Sequence, residues 1–227
     1  MHDLAVGLGY REPVLLCGPE ATADAFLDTL RARAAALAVG DLLLVSFAGH
    51  GRRLWGRGGP VRPHALFLAD RLVTDTEIGE LLDAIPVRAR VVFLLDACCS
   101  GGFLGEWIAA RGAGVEPLER SAHAGAPAAR CSPAASALIL ASSPADRAAA
   151  AARARGAVPP FTDALLRCWP DCSSWLDLRD RMAVLLADAG APAPQLASSD
   201  PALSGEPPFR IASGRSPARR VSLCTPS

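Results

Sequence analysis

Two uninterrupted apolar runs, "DLLLVSFAGHG" (41–51) and "ARVVFLLDACCSGGF" (89–103), constrain this 227-residue chain more than any other feature. A strand with one wet face alternates apolar and polar residues, whereas an unbroken apolar run must be covered on both faces. Such strands belong inside a parallel sheet with helices on either side. Both runs also end unlike core segments. The first stops at Gly49-His50-Gly51 and the second at Asp96-Ala97-Cys98-Cys99-Ser100-Gly101. A core needs neither an imidazole between glycines nor a carboxylate ahead of two thiols.

The remaining pattern agrees with an α/β fold whose central sheet is mainly parallel and flanked by helices. "PVLLC" (13–17), "ALFLAD" (65–70) and "ALILAS" (137–142) read as further strands. Helical spacing covers 22–39, with Thr22 or Asp24 near its start, and 74–85, with an acidic first turn that suits the helix dipole. "PPFTDALLRCW" and "SSWLDLRDRMAVLLADAG" are two more helices. The stretch 110–136 is rich in Gly, Ala, Pro and Arg and reads as an exposed loop. One domain over 1–211 is expected, in parts of about 10–109 and 137–211 joined by that loop. Residues 212–227, rich in Ser, Pro and Arg, read as a disordered tail.

Composition excludes several function classes. At 51% hydrophobic the chain can bury one substantial core. A formal net charge of zero gives no long-range attraction to nucleic acid or an anionic membrane, so neither partner is expected. No basic-then-apolar leader opens the sequence and no apolar run reaches membrane-span length, so a cytoplasmic location is expected. Seven cysteines at irregular spacing do not outline a disulfide framework.

In open α/β sheets ligands bind beyond the carboxyl ends of the strands. If the two apolar strands are neighbours, His50 and a cysteine meet there. A thiol beside an imidazole can be held as the nucleophilic thiolate. Glycines around His50 let backbone approach a substrate, with the Gly51 N–H available to a developing oxyanion. Each feature has a bland counterpart: a structural histidine in a turn, or small thiols filling a core. Their joint occurrence at two strand ends favours chemistry. Other motifs fail. Leu54 breaks a dinucleotide fingerprint after His50, there is no Walker A or G-x-S-x-G, and Cys168 and Cys172 lack a second ligand pair at zinc spacing.

Phe47-Ala48-Gly49-His50-Gly51 and Asp96-Ala97-Cys98-Cys99-Ser100-Gly101 resemble the two catalytic motifs of the caspase-like cysteine peptidases: caspases, metacaspases and their bacterial relatives. The metacaspase patterns are Tyr/Phe-Ser-Gly-His-Gly and Asp-Ser/Cys-Cys-His-Ser-Gly, and the histidine lies about 50 residues upstream of the cysteine, as here. Weaker likeness extends over "VTDTEIGELLDAIP", "LILASSPADRAA", "FTDALL" and "PQLASSDPALSGEPPFRI".

The resemblance implies a caspase-like fold and a cysteine endopeptidase acting on a protein or peptide substrate. It makes His50 the general base and acid and Cys98 the nucleophile, with the backbone N–H groups of Gly51 and Cys98 forming the oxyanion hole. It makes Asp96 a substrate-binding acid that selects Arg before the scissile bond, and Asp146 a second acid of that pocket. Three departures accompany it. The chain opens at what corresponds to the family's second strand, so the usual first strand is expected to be missing, either because the start codon is misassigned or because the sheet is short by an element. Cys99 stands where metacaspases carry histidine. The often acidic loop after the histidine reads "RRLWGRGGPVRPH". Calcium takes 6–8 oxygen ligands, and too few carboxylates remain, so no metal or other cofactor is expected. The alternatives are a catalytically degenerate interaction module (a pseudopeptidase) and a cysteine hydrolase acting on a non-peptide acyl group.

Overall fold

A computed structural model describes residues 1–54, 63–111, 135–146, 158–210 and the strand 219–224. In chain order the elements are α1 (His2–Gly7), β1 (Arg11–Cys17), α2 (Ala23–Ala35), β2 (Leu42–Ala48), β3 (Gly51–Arg53), β4 (His64–Phe67), β5 (Leu72–Thr74), α3 (Asp75–Asp83), β6 (Arg90–Asp96), α4 (Gly105–Ala109), β7 (Ser136–Ala141), α5 (Pro160–Cys168), α6 (Trp175–Asp188), β8 (Gln195–Ser198), α7 (Pro201–Ser204) and β9 (Arg219–Cys224). Most of the expected loop at 110–136 lies outside the described residues.

The two apolar runs form adjacent central strands, β2 and β6, of a six-stranded sheet ordered β1-β9-β2-β6-β7-β8. Pairing is parallel throughout except at the β7–β8 edge. The apolar runs are explained by coverage on both faces. Leu43, Val45 and Phe47 of β2, with Val91, Phe93 and Leu95 of β6, point into one core beside Phe26, Leu30, Ile78 and Leu82 from α2 and α3. Leu42 and Leu44, with Val92 and Leu94, point into the other, beside Phe161, Trp175, Leu178 and Met182 from α5 and α6. Full burial of each such side chain stabilises the fold by about 1.5–3 kcal/mol.

Helix starts follow local chemistry. Thr22 accepts a hydrogen bond from the Ala25 N–H at the head of α2. Thr74 and Glu77 form a reciprocal capping box on α3. Ser174 caps α6. At the carboxyl edge of the sheet, β3, β4 and β5 make a small antiparallel sheet of their own. No helix among the described residues is long and apolar enough to cross a membrane.

The tail expected to be disordered contains β9, which runs parallel between β1 and β2. Composition misleads here because a central strand needs only a short stretch of backbone whose N–H and C=O groups can be paired on both sides. Val221 sits opposite Val14 on one side and Val45 on the other. β9 is also the strand through which β1 joins the sheet. Proline at 221 removes a donor in the middle of this ladder. A loss of about 3 kcal/mol, as for proline inside a regular element, lowers the thermal midpoint of Val221→Pro by roughly 6–12 °C. A melt followed by circular dichroism checks this, and an unchanged midpoint places 219–224 outside the sheet.

Candidate active site

The site is set by register. Parallel pairing of β2 with β6 runs from Leu42↔Arg90 to Ala48↔Asp96 without a shift. His50 and Cys98 therefore each lie two residues beyond the last pair, on neighbouring strands and at the same edge. The Gly49 N–H donates to the Asp96 carbonyl at 3.1 Å, extending the ladder into the two turns. Gly51 then passes so close to the Cys98 carbonyl that a Cβ on it would collide with that oxygen, and it would also meet the Ala97 Cβ at 3.2 Å. Only glycine allows this approach.

The Gly51 N–H has a defined direction. Gly51 pairs with Leu66 across β3 and β4, and the Phe67 N–H donates to the His50 carbonyl at 2.9 Å. In an antiparallel ladder that pattern makes Gly51↔Leu66 a non-hydrogen-bonded pair, so the Gly51 N–H points away from β4.

The turn carrying the thiols is pinned from β7. The Ala97 N–H donates to Ser142 Oγ at 3.0 Å, and the Ser143 hydroxyl donates to the Ala97 carbonyl at 3.0 Å. The Gly101 N–H donates to the Ser143 carbonyl at 2.8 Å. Cys99 adopts a left-handed backbone with φ 54°. For a residue with a Cβ this costs on the order of 1–2 kcal/mol, held in place by these bonds. Cys98 and Cys99 are both half-buried, and His50 is exposed, with its ring edge-on to Phe67 at 6.3 Å between centroids.

Asp96 ends β6, two residues ahead of Cys98. It is only 8% exposed. Its carboxylate accepts a 2.6 Å hydrogen bond from the Thr162 hydroxyl, in the first turn of α5. Burial pushes its pKa above the ordinary carboxylate value, opposed by hydrogen bonds from the Thr162 hydroxyl, the Thr162 backbone N–H and the Ser142 hydroxyl. No cation among the described residues acts on it. Asp146 is exposed, in the turn that follows β7 on the same side of the sheet.

A model of the caspase domain matches residues 1–202. This chain belongs to the caspase domain family. It is 33% identical over 72 residues to Metacaspase-4 of Arabidopsis thaliana, a match spanning 30% of this chain and 17% of that protein. Its fold resembles the crystal structure of protein GSU0716 from Geobacter sulfurreducens, with a TM-score of 0.67 and 20% identity, covering 94% of this chain and 87% of that one. As a caspase domain the chain has a peptidase-like architecture, with the two motif-bearing turns side by side.

Sequence reasoning on this caspase domain missed Thr162, Ser142 and Ser143. Their signal was present: two serines at the end of strand-like "ALILAS", and a threonine opening a helix. It also missed His64, buried with Nδ1 3.7 Å from Asp75 Oδ2 and its ring against Gly102 in the cysteine turn. Cys168 and Cys172 behave as packing residues. The Cys172 thiol donates to the Cys168 carbonyl at 3.0 Å, and burial raises the pKa of both thiols. Among the described residues no group of three or more His, Cys, Asp or Glu could hold a metal ion.

The raised pKa of Asp96 has a sign that can be worked out. Between the ordinary carboxylate pKa and the raised folded value, the folded state binds more protons than the unfolded state, so stability falls as pH rises through that window. Asp96→Asn keeps an acceptor for Thr162 and removes the charge. Its urea midpoint is expected to exceed that of the parent protein at pH 7, with the difference vanishing toward pH 3. A parent protein that gains stability over the same rise relative to the variant would reverse the assignment.

Proposed function

We propose that this caspase domain is a cysteine endopeptidase that cleaves after arginine. The Cys98 sulfur attacks the scissile carbonyl carbon while His50 takes its proton. The oxyanion that forms meets the N–H groups of Gly51 and Cys98. Collapse breaks the C–N bond, and His50 returns the proton to the leaving amine, giving a thioester. Water, deprotonated by His50, then attacks the thioester and releases the acid and the thiol. Support for this chemistry comes from the in-register placement of the two turns, the direction of the Gly51 N–H and the family. Each oxyanion donor is worth roughly 10²–10³ in rate.

Asp96 carries the specificity. A carboxylate 8% exposed, held by hydroxyl and amide donors alone, is a costly arrangement without a counter-charge. A substrate guanidinium supplies that charge and can form two parallel hydrogen bonds with the carboxylate. Lysine offers the charge without the fork. Asp146, exposed in the turn after β7, is the candidate second acid for such a side chain.

Two expectations follow. Cys98→Ala and His50→Ala each abolish peptide cleavage while leaving the thermal midpoint within a few degrees of the parent, since neither side chain is part of the core. Cys99→Ala keeps most activity. Full activity in Cys98→Ala would make Cys99 the nucleophile, and no cleavage by the parent protein on any peptide would favour the pseudopeptidase. For specificity, kcat/KM measured on peptides that differ only before the scissile bond falls in the order Arg, Lys, Asp, with Asp not cleaved. Asp96→Ala loses the Arg preference. Equal rates for Arg and Asp peptides would remove Asp96 from the pocket.

A further inference from the structure

We propose that Phe67 is a positioning residue that holds the His50 imidazole toward Cys98, an inference that rests on the reading of these two residues as the catalytic pair. Catalytic bases are commonly oriented by a third group that hydrogen-bonds the far ring nitrogen. Among the described residues no side chain or carbonyl hydrogen-bonds the His50 ring. The contact that does reach it is aromatic. The rings of His50 and Phe67 stand 6.3 Å apart at 82°, inside the favoured edge-to-face range.

The same residue also fixes the backbone of the histidine, because its N–H donates to the His50 carbonyl at 2.9 Å. Backbone and ring are thus held from one position. Without this, His50 would be an exposed imidazole between two glycines, free to turn about its side-chain torsions.

Phe67 can serve as a fixed wall because its own seat is rigid. It ends β4, opposite Leu72 of β5, directly after the fully buried Leu66. Beyond it, the Leu68 N–H donates to the Arg71 carbonyl, and the Ala69 N–H donates to the Ala21 carbonyl ahead of α2. Phe67 is nevertheless 37% exposed. The ring stands at the site edge instead of filling the core, where such an aromatic would contribute more to stability.

An exposed aromatic at this edge could instead be only a wall for the substrate. A small reagent separates the roles, because it reacts with the thiolate without occupying a substrate subsite. The test is the rate of Cys98 alkylation by iodoacetamide at pH 7. It is followed by peptide mass spectrometry on the full chain, for the parent protein and for His50→Ala, Phe67→Ala, Phe67→Leu and Phe67→Tyr. Slower alkylation is expected in His50→Ala. A roughly 2–10-fold loss is expected in Phe67→Ala and in Phe67→Leu, which keeps apolar bulk without a ring. Phe67→Tyr is expected to restore the parent rate. If His50→Ala alkylates like the parent, the catalytic pair itself falls, and Phe67 with it. If His50→Ala is slow while Phe67→Leu matches the parent, the pair stands and the role of Phe67 is overturned. A parent alkylation rate in Phe67→Leu together with a raised KM on peptides would make it a substrate wall only.

Discussion

The unshifted parallel pairing of β2 with β6 is the interaction on which the site depends. Seven consecutive residue pairs bring Ala48 level with Asp96, and both chains then leave the sheet together. A slip of one residue would turn every core side chain of one strand to the opposite face. Hydrophobic burial on both faces therefore fixes the register, and the register fixes how far His50 and Cys98 each project beyond the edge. The placement of His50 and Cys98 at the edge inherits its precision from packing in the interior. The serines at the end of β7 extend the same logic to a third strand, since Ser142 and Ser143 bond both backbone groups of Ala97.

Asp96 shows what this arrangement costs. Its partners are a threonine hydroxyl, a serine hydroxyl and a backbone N–H. These satisfy hydrogen bonding without neutralising charge, so the folded protein carries an acid that burial disfavours in its ionised form. Nearby polar groups are arranged to tolerate the carboxylate and not to cancel it. That arrangement opposes stability locally, since burial raises the carboxyl pKa and no cation among the described residues offsets it.

What could be read from the sequence followed from periodicity and from strand ends. The apolar runs 42–47 and 91–95 announced buried parallel strands, and Thr22 and the acidic turn at 74–77 announced helix starts. His50, Cys98 and Asp96 stood out because a histidine, a thiol and an acid close those runs, and the β2–β6 register puts all three at one edge of the sheet. The partners of Asp96 were not, because a hydroxyl at a helix start or strand end is ordinary until tertiary structure turns it inward. Nor was β9. "RRVSLC" is short, sits among Ser, Pro and Arg, and gains its order from strands at the other end of the chain. β3 and β5 escaped for a similar reason, since strands of three residues carry too few positions for a period to show, whereas β4 overlaps the run "ALFLAD" that read as a strand.

The placement of β9 also bears on assembly. Val14 lies beside Val221, so the earliest strand reaches the sheet through the latest one. During synthesis the cysteine turn and the histidine turn leave the ribosome while the seat between β1 and β2 is still empty. Contacts this distant in sequence are slow to form and carry a large loop-closure cost. The order of translation therefore acts as a timer. β2, and with it the turn that presents His50, gains its second neighbour only when residues 219–224 arrive, so a partly made polypeptide holds His50 and Cys98 on an unfinished frame.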